Sequence, residues 1–279
     1  MAAAVAVVTD STACLPAGLA ARSGILVVPL RVVAGGLSAD DGPSALSGEL
    51  GAEVGRGARL STASPAPERF AAAYAAAAAA GAAAVVSVHL SASLSGTVGS
   101  ARLAAGDAPV PVRVVDSRSL GMGLGFAAMS AAQTAQAGGR LDDVAAAASA
   151  RSAGLRSFFV LDTLDPLSAG GRLDPSGLGG ALTVRPLLHL AGGRVEVLEK
   201  LRTPSAAARR MEEAAAEYAA GRAVDVAVLF LGRPEPGQAL AGRLEQLIPA
   251  ARHRFLTEAG AVIRAHTGPG MLGVVVAPY

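Results

Sequence analysis

The sequence predicts an α/β fold of two domains, the first a mainly parallel sheet with helices on both faces, the second a mixed sheet with helices. Three observations lead there. Apolar runs of strand length alternate with longer Ala-rich segments through the first half, the β-α-β-α order of a sheet covered on both faces. After Arg156 hairpin signals replace that alternation. The 279 residues, 52% of them hydrophobic, supply ample apolar surface for one large core or two ordinary ones.

Taken in order, Val5–Val8, Ile25–Val33, Ala84–Val88 and Val112–Val115 read as buried strands. Segments near Ala17–Ser23, Pro67–Ala80, Ser95–Ala104 and Gly123–Gln136 read as helices, and Leu141–Ala153 as a further helix with Asp142 and Asp143 in its first turn. We place the domain boundary near Gly154, giving domains 1–154 and 155–279. In the second, Ser157–Leu161 reads as a strand, and Asp162–Gly171 carries a short helix. Val184–Ala191 and Arg194–Leu201 flank Gly192-Gly193, a strong hairpin signal. Helix Ser205–Ala220, strand Val224–Leu231 and helix Pro236–Leu247 follow, then strands near Arg254–Thr257, Ala261–Ala265 and Leu272–Ala277.

Composition excludes several classes. Charged residues make up only 16%, which rules out disorder, and 24 Lys+Arg against 22 Asp+Glu without a basic run gives no nucleic-acid footprint. The single cysteine, Cys14, permits neither an intrachain disulfide nor a Cys-based metal site. The first eight residues lack a basic n-region and run straight into Thr9-Asp10-Ser11-Thr12, so they read as a strand and not a signal peptide. Phe70–Val88 is the one long apolar stretch. Its interior is mostly Ala and Gly81 splits it into helix and strand, which favours a soluble cytoplasmic protein.

Gly121-Met-Gly-Leu-Gly125 opens a helix after a strand but lacks the third glycine of a dinucleotide fingerprint, so close helix packing is its expected role. His89, His189, His253 and His266 lack metal-ligand spacing. His266 precedes the rigid turn Thr267-Gly-Pro-Gly270. Ser91-Ala-Ser-Leu-Ser-Gly-Thr97 joins a strand to a helix, where hydroxyls cap orphan N–H groups and the helix dipole favours an anion. Asp10-Ser11-Thr12 and Ser61-Thr62 are expected on the same sheet edge. No Gly-x-Ser-x-Gly elbow frames these serines, and the set suits holding an anion more than cleaving a bond.

Several segments together resemble the DegV family of bacterial fatty-acid-binding proteins of fatty acid kinase systems. They are Val8-Thr-Asp-Ser-Thr-Ala13, Val28-Pro-Leu30, Thr62-Ala-Ser-Pro-Ala-Pro67 with Phe70, Leu94-Ser-Gly-Thr97 with Ser100-Ala101, and Val115-Asp-Ser117 with Gly121–Gly125. In the second half they are Asp162-Thr-Leu164, Gly170-Gly-Arg172, Arg185-Pro186, Glu199-Lys-Leu-Arg-Thr203 and His266-Thr-Gly-Pro-Gly270. Where the family usually has Thr-Ser-Gln-Pro, this chain has Thr62-Ala63-Ser64-Pro65, and Ser91-Ala92 stands where the family has Ser-Ser.

The resemblance implies a non-enzymatic carrier with no cofactor, a fatty acid buried between or beneath the domains, and at most transient membrane contact. It implies that Thr62, Ser95 and His266 bind the fatty-acid carboxylate, with Ser91 and Ser93 in reserve. It also implies that an ATP-dependent fatty acid kinase subunit makes the acyl phosphate for phospholipid synthesis, docking through Arg172 and Arg202. The alternative is a Ser/His acyl hydrolase using Ser95 or Ser93 with His266, oriented by Asp10 or Asp116.

Overall fold

The computed structural model describes residues 5–42, 44–173 and 185–279. By packing, the chain divides into two compact units, Met1–Ala153 with Gly260–Val262, and Gly154–Ala259 with Ile263–Tyr279.

The first unit is built on strands β1 (Val5–Asp10), β2 (Ile25–Val28), β6 (Ala84–His89) and β7 (Val112–Asp116), in the order β2-β1-β6-β7 and all parallel. Side chains alternate across a strand, so neighbouring valines serve opposite layers. Val8 and Val85 face Phe70, Tyr74 and Ala77 of α3 (Pro67–Ala79) and Ala101 and Ala104 of α4 (Thr97–Gly106). Val7 and Val86 face α5 (Met122–Gln136) and α6 (Leu141–Gly154). Those helices present mainly alanine, and small side chains bring helix and sheet close. Gly125 carries this furthest, because a Cβ there would stand 2.8 Å from the Ala13 carbonyl oxygen. Gly125 thus has the packing role expected of the glycine cluster.

The expected single strand Ile25–Val33 is two strands. The chain breaks at Pro29-Leu30 and continues as β3 (Arg31–Ala34), which pairs antiparallel with β4 (Leu37–Asp40) and β5 (Ser61–Ala63) in a separate three-stranded sheet. Proline lacks the donor needed to continue a ladder. A short helix α1 (Leu19–Arg22) precedes β2, and α2 (Gly48–Gly55) follows β4. The strand β4, the helix α2 and the strand β5 have no counterpart in the sequence reading. Ser61 and Thr62 therefore lie in a strand of the small sheet, not at a turn on the edge of the parallel one.

Among the described residues the second unit holds six strands in the order β10-β9-β8-β13-β11-β12. These are β8 (Arg156–Val160), β9 (Arg185–Ala191), β10 (Arg194–Leu201), β11 (Val224–Phe230), β12 (Ala251–Glu258) and β13 (Leu272–Pro278). Only β11 and β12 pair in parallel, so the sheet is mixed. The β9–β10 hairpin turns on Gly192 and Gly193, both at positive φ (57° and 88°), which suits a two-residue turn. Val184, the expected start of β9, lies outside the described residues. The short helix is α7 (Asp165–Ala169). Met211 and Ala215 of α8 (Pro204–Ala219) and Leu240 and Leu244 of α9 (Pro234–Leu247) pack on Leu187, Val226 and Val274.

Ala261–Ala265, expected as a strand, belongs instead to helix α10 (Ala261–Thr267). The Asp41 carboxylate accepts the Val262 N–H at 3.2 Å and also bonds the Ala261 backbone, so a residue far away in the chain caps the helix start. No local pattern could announce that cap. Among the described residues no helix is long and apolar enough to cross a membrane.

Gly125→Ala is expected to lower stability by roughly 1–3 kcal/mol through overpacking. Gly242→Ala, in α9 with open space around the added methyl, should raise it by about 0.5–1 kcal/mol through helix propensity. Urea unfolding of both variants tests the pair, and equal effects would contradict the close-packing role of Gly125.

Candidate functional site

The carboxyl ends of β1, β6 and β7 carry the polar side chains of the first unit. The β1–β6 backbone register runs as far as Val8 opposite Ser87. Beyond it, side chains take over. Thr9 Oγ1 donates to the Val88 carbonyl (2.9 Å), and Asp10 Oδ2 accepts from His89 Nδ1 and the Leu90 N–H, both at 3.0 Å. Asp10 Oδ1 accepts the Thr12 N–H (3.0 Å) and its hydroxyl. On the far side of the imidazole, Nε2 meets Ser87 Oγ at 2.6 Å, and the Tyr74 hydroxyl donates to the same oxygen at 2.9 Å. Burial pushes the Tyr74 phenol up to about 12, so it keeps its proton and donates. The Asp10 carboxylate can only accept, so Nδ1–H donates to it, and Tyr74, Ser87, His89 and Asp10 form one continuous line, with the Ala101 carbonyl a second acceptor for Tyr74 at 3.3 Å.

That line copies a Ser-His-Asp triad, yet Ser87, His89, Asp10 and Tyr74 are all fully buried, with 0% exposure. No substrate reaches Ser87, and the geometry is structural. The sequence reading passed over His89 because its partners are set by strand pairing, with Asp10 79 positions away.

The Ser91–Thr97 segment leaves β6 directly from this network. Its backbone is held from β7 as well, since Asp116 Oδ1 accepts the Ala92 N–H (3.2 Å) and the Arg118 N–H (2.9 Å). Asp10 is thus committed to Thr12, His89 and Leu90, and Asp116 Oδ1 to backbone donors. Ser91 is fully buried, and its Oγ accepts the Ser93 N–H at 3.2 Å, so it shapes the turn. Ser93 is exposed. Ser95 is half-buried, and its Oγ lies 2.9 Å from Thr97 Oγ1 and 3.0 Å from Ser64 Oγ. Ser64 stands where the resembled family has Gln, and it joins the two hydroxyl segments. Thr62 is half-buried in β5, opposite Val32. Helix α4 starts just beyond, with Gly96 as its N-cap and no side-chain cap bond. Its first N–H groups lend that end a partial positive charge.

In the second unit His266 occupies the last turn of α10 and is half-buried. Burial first, and the Arg172 guanidinium second, hold its pKa down at about 4, so the ring is neutral near pH 7. Arg172 is itself half-buried and donates from Nη1 to the Gly170 carbonyl at 2.6 Å. Arg202 is exposed beside Thr203, whose Oγ1 caps α8 through the Ala206 N–H at 3.1 Å. Burial pushes the Cys14 thiol up to about 12, which makes it a poor nucleophile. Among the described residues no group of three His, Cys, Asp or Glu is placed to hold a metal.

A parallel sheet whose strand ends carry linked hydroxyls, in one chain with a mixed-sheet unit, defines a two-unit α/β protein with a hydroxyl-rich sheet edge. The chain matches the family model described as "Uncharacterised protein, DegV family" over residues 4–279, and it belongs to the DegV family. It is 49% identical over 274 residues to a DegV domain-containing protein of Streptomyces coelicolor, covering 98% of each chain. It is 36% identical over 275 residues to one from Mycobacterium tuberculosis, covering 98% of this chain and 96% of the relative. Among solved structures it is similar to DegV, a fatty acid binding protein from Bacillus subtilis, with TM-score 0.90, 28% identity, and 99% and 100% of the two chains covered. A structure described as fatty acid binding of a DegV family protein from Thermus thermophilus matches with TM-score 0.87, 33% identity, and 99% and 100% covered.

The neutral His266 links folding to pH. Its folded pKa, about 4, lies below the unfolded value near 6.5, so between them the unfolded chain takes up a proton that the folded chain refuses. Stability from this group is complete above pH 6.5 and falls as the pH drops toward 4. His266→Gln should flatten the urea midpoint against pH in that window, and an unchanged slope would contradict the buried neutral ring.

Proposed function

We propose that this protein binds a long-chain fatty acid, holds its carboxylate at the Ser95 turn, and presents it to an ATP-dependent kinase subunit that forms the acyl phosphate for phospholipid synthesis. It acts as a cytoplasmic carrier, with no chemistry or cofactor of its own, no nucleic-acid partner and at most transient membrane contact. The observation that carries the reading is the hydroxyl chain Ser64–Ser95–Thr97 at the N-terminus of α4, where Ser95 Oγ also accepts the Thr97 N–H at 3.4 Å. Hydroxyl and N–H donors there suit a carboxylate, and charge-assisted bonds contribute roughly 1.5–3 kcal/mol each. The fatty-acid binding described for the Bacillus and Thermus proteins supports the same reading. A buried acyl chain gains about 0.8 kcal/mol per CH₂, on the order of 11 kcal/mol for a sixteen-carbon chain before ordering costs.

We assign the carboxylate to Ser95 and Thr62, with Ser93 as the exposed reserve and Ser91 in support of the turn. To this set we add His266, on the resemblance. Mass spectrometry of organic extracts should find fatty acid co-purifying with the protein. Thr62→Val and Ser95→Ala should each lower fatty-acid affinity about tenfold, one hydrogen bond's worth. Unchanged affinity in both removes the carboxylate assignment.

Arg202 and Arg172 are proposed to dock the kinase, since a planar guanidinium suits recognition of carboxylate or phosphate. Arg202→Ala and Arg172→Ala should keep fatty acid bound while slowing acyl-phosphate formation by the partner, followed by radiolabelled product. Loss of the fatty acid itself in Arg172→Ala would reassign that residue to the ligand site beside His266.

A further inference from the structure

The hydroxyl of Ser95 can serve a ligand only if the turn that carries it points one way, and the turn begins where the β1–β6 ladder has ended. The backbone of a loop leaving a strand is held by whatever groups accept its N–H donors. For Leu90, the residue that opens the turn, that group is the Asp10 carboxylate, at 3.0 Å. The same oxygen is shared with His89 Nδ1, also at 3.0 Å, so the imidazole fixes where the carboxylate stands. His89 in turn is braced by Ser87 at 2.6 Å and by the Phe70 ring edge-to-face at 4.9 Å. Asp10, His89, Ser87 and Phe70 all have 0% exposure, so none touches solvent.

We infer that Asp10 and His89 are positioning residues for the ligand site, which fix the Leu90–Ser95 turn and so aim the Ser95 hydroxyl without touching the ligand. The inference rests on the carboxylate reading above and names the device that sustains it. A buried His–Asp pair can also serve only to satisfy polar groups in a core. The two roles differ in what they protect. A purely stabilising pair affects every ligand alike, whereas a pair that aims donors affects the ligand's head group and spares its chain.

The test compares tetradecanoic acid with tetradecan-1-ol as competitors for a fluorescent fatty-acid probe on the full delipidated protein. The two share a chain and differ at the charged head. In His89→Gln, which keeps a group near Nε2 and loses the donor to Asp10, acid affinity should fall about tenfold while alcohol affinity stays within about twofold. His89→Asn restores a donor where Nδ1 stood and should recover most of the preference for the acid. Val144→Ala, a cavity in the α6 layer of the same unit, should lower the melting temperature and leave the preference intact. Should His89→Gln fail to fold, Thr12→Val removes one hydroxyl donor to Asp10 and should reduce the preference partially.

Retention of the acid preference in His89→Gln, or in Thr12→Val where that variant replaces it, overturns the inference. So does a parallel fall for acid and alcohol, or failure of His89→Asn to recover. If the native protein shows no preference, or Ser95→Ala keeps it, the assignment of the carboxylate to Ser95 fails and the positioning role with it. A preference lost in Ser95→Ala and kept in His89→Gln removes the positioning role alone.

Discussion

Asp10 ends β1 in the middle of a parallel sheet, where neither water nor ladder partners reach its side chain. A carboxylate in that place must be surrounded by donors or it destabilises the fold strongly. Four converge on it: the N–H and hydroxyl of Thr12, His89 Nδ1 and the Leu90 N–H. That requirement ties the end of β1 to the end of β6, fixes the turn after β1, and extends through Ser87 and Tyr74 into the helix layer. The segment that carries Ser91, Ser93 and Ser95 leaves from this knot.

The same use of carboxylates recurs. Asp116 holds Ala92 and Arg118, and Asp41 holds the first turn of α10, at the cost of a pKa that burial pushes above the usual carboxylate range. Exposed pairs such as Arg113–Asp142, with side chains 56% and 81% exposed, contribute little in comparison. In a chain with only 16% charged residues, these acids act chiefly as acceptors for backbone that no ladder or helix satisfies.

Alanine sets the other constraint. The α5 and α6 faces against the sheet are largely Ala, so the helices sit close and the layers leave room for few large side chains. On the opposite face Phe70 and Tyr74 supply the bulk, and Tyr74 carries the polar tip that completes the Asp10 network. One side of the sheet is therefore packed largely by small residues, and the other by two aromatics, of which Phe70 meets His89 edge-to-face and Tyr74 bonds Ser87.

Local chemistry made much of this legible. Apolar runs gave β1, β6, β7 and β11, Ala-rich amphipathic segments gave α3, α5 and α8, and Gly192-Gly193 gave the hairpin, because each signal lies within the element it specifies. Gly35 and Gly36, also at positive φ (57° and 82°), form the matching β3–β4 turn, a signal of the same kind that short flanking strands obscured. The hydroxyl run at Ser91–Thr97 and the family were readable from residue order alone. Other features depend on partners distant in the chain: the cap from Asp41 that makes 261–267 a helix, the Ser64–Ser95 contact that joins two hydroxyl segments, and the pairing of Asp10 with His89. A hydrogen bond between residues 31 to 221 positions apart leaves no periodicity in the sequence. It exists only after the sheet has set its register, and so only the tertiary structure decides it.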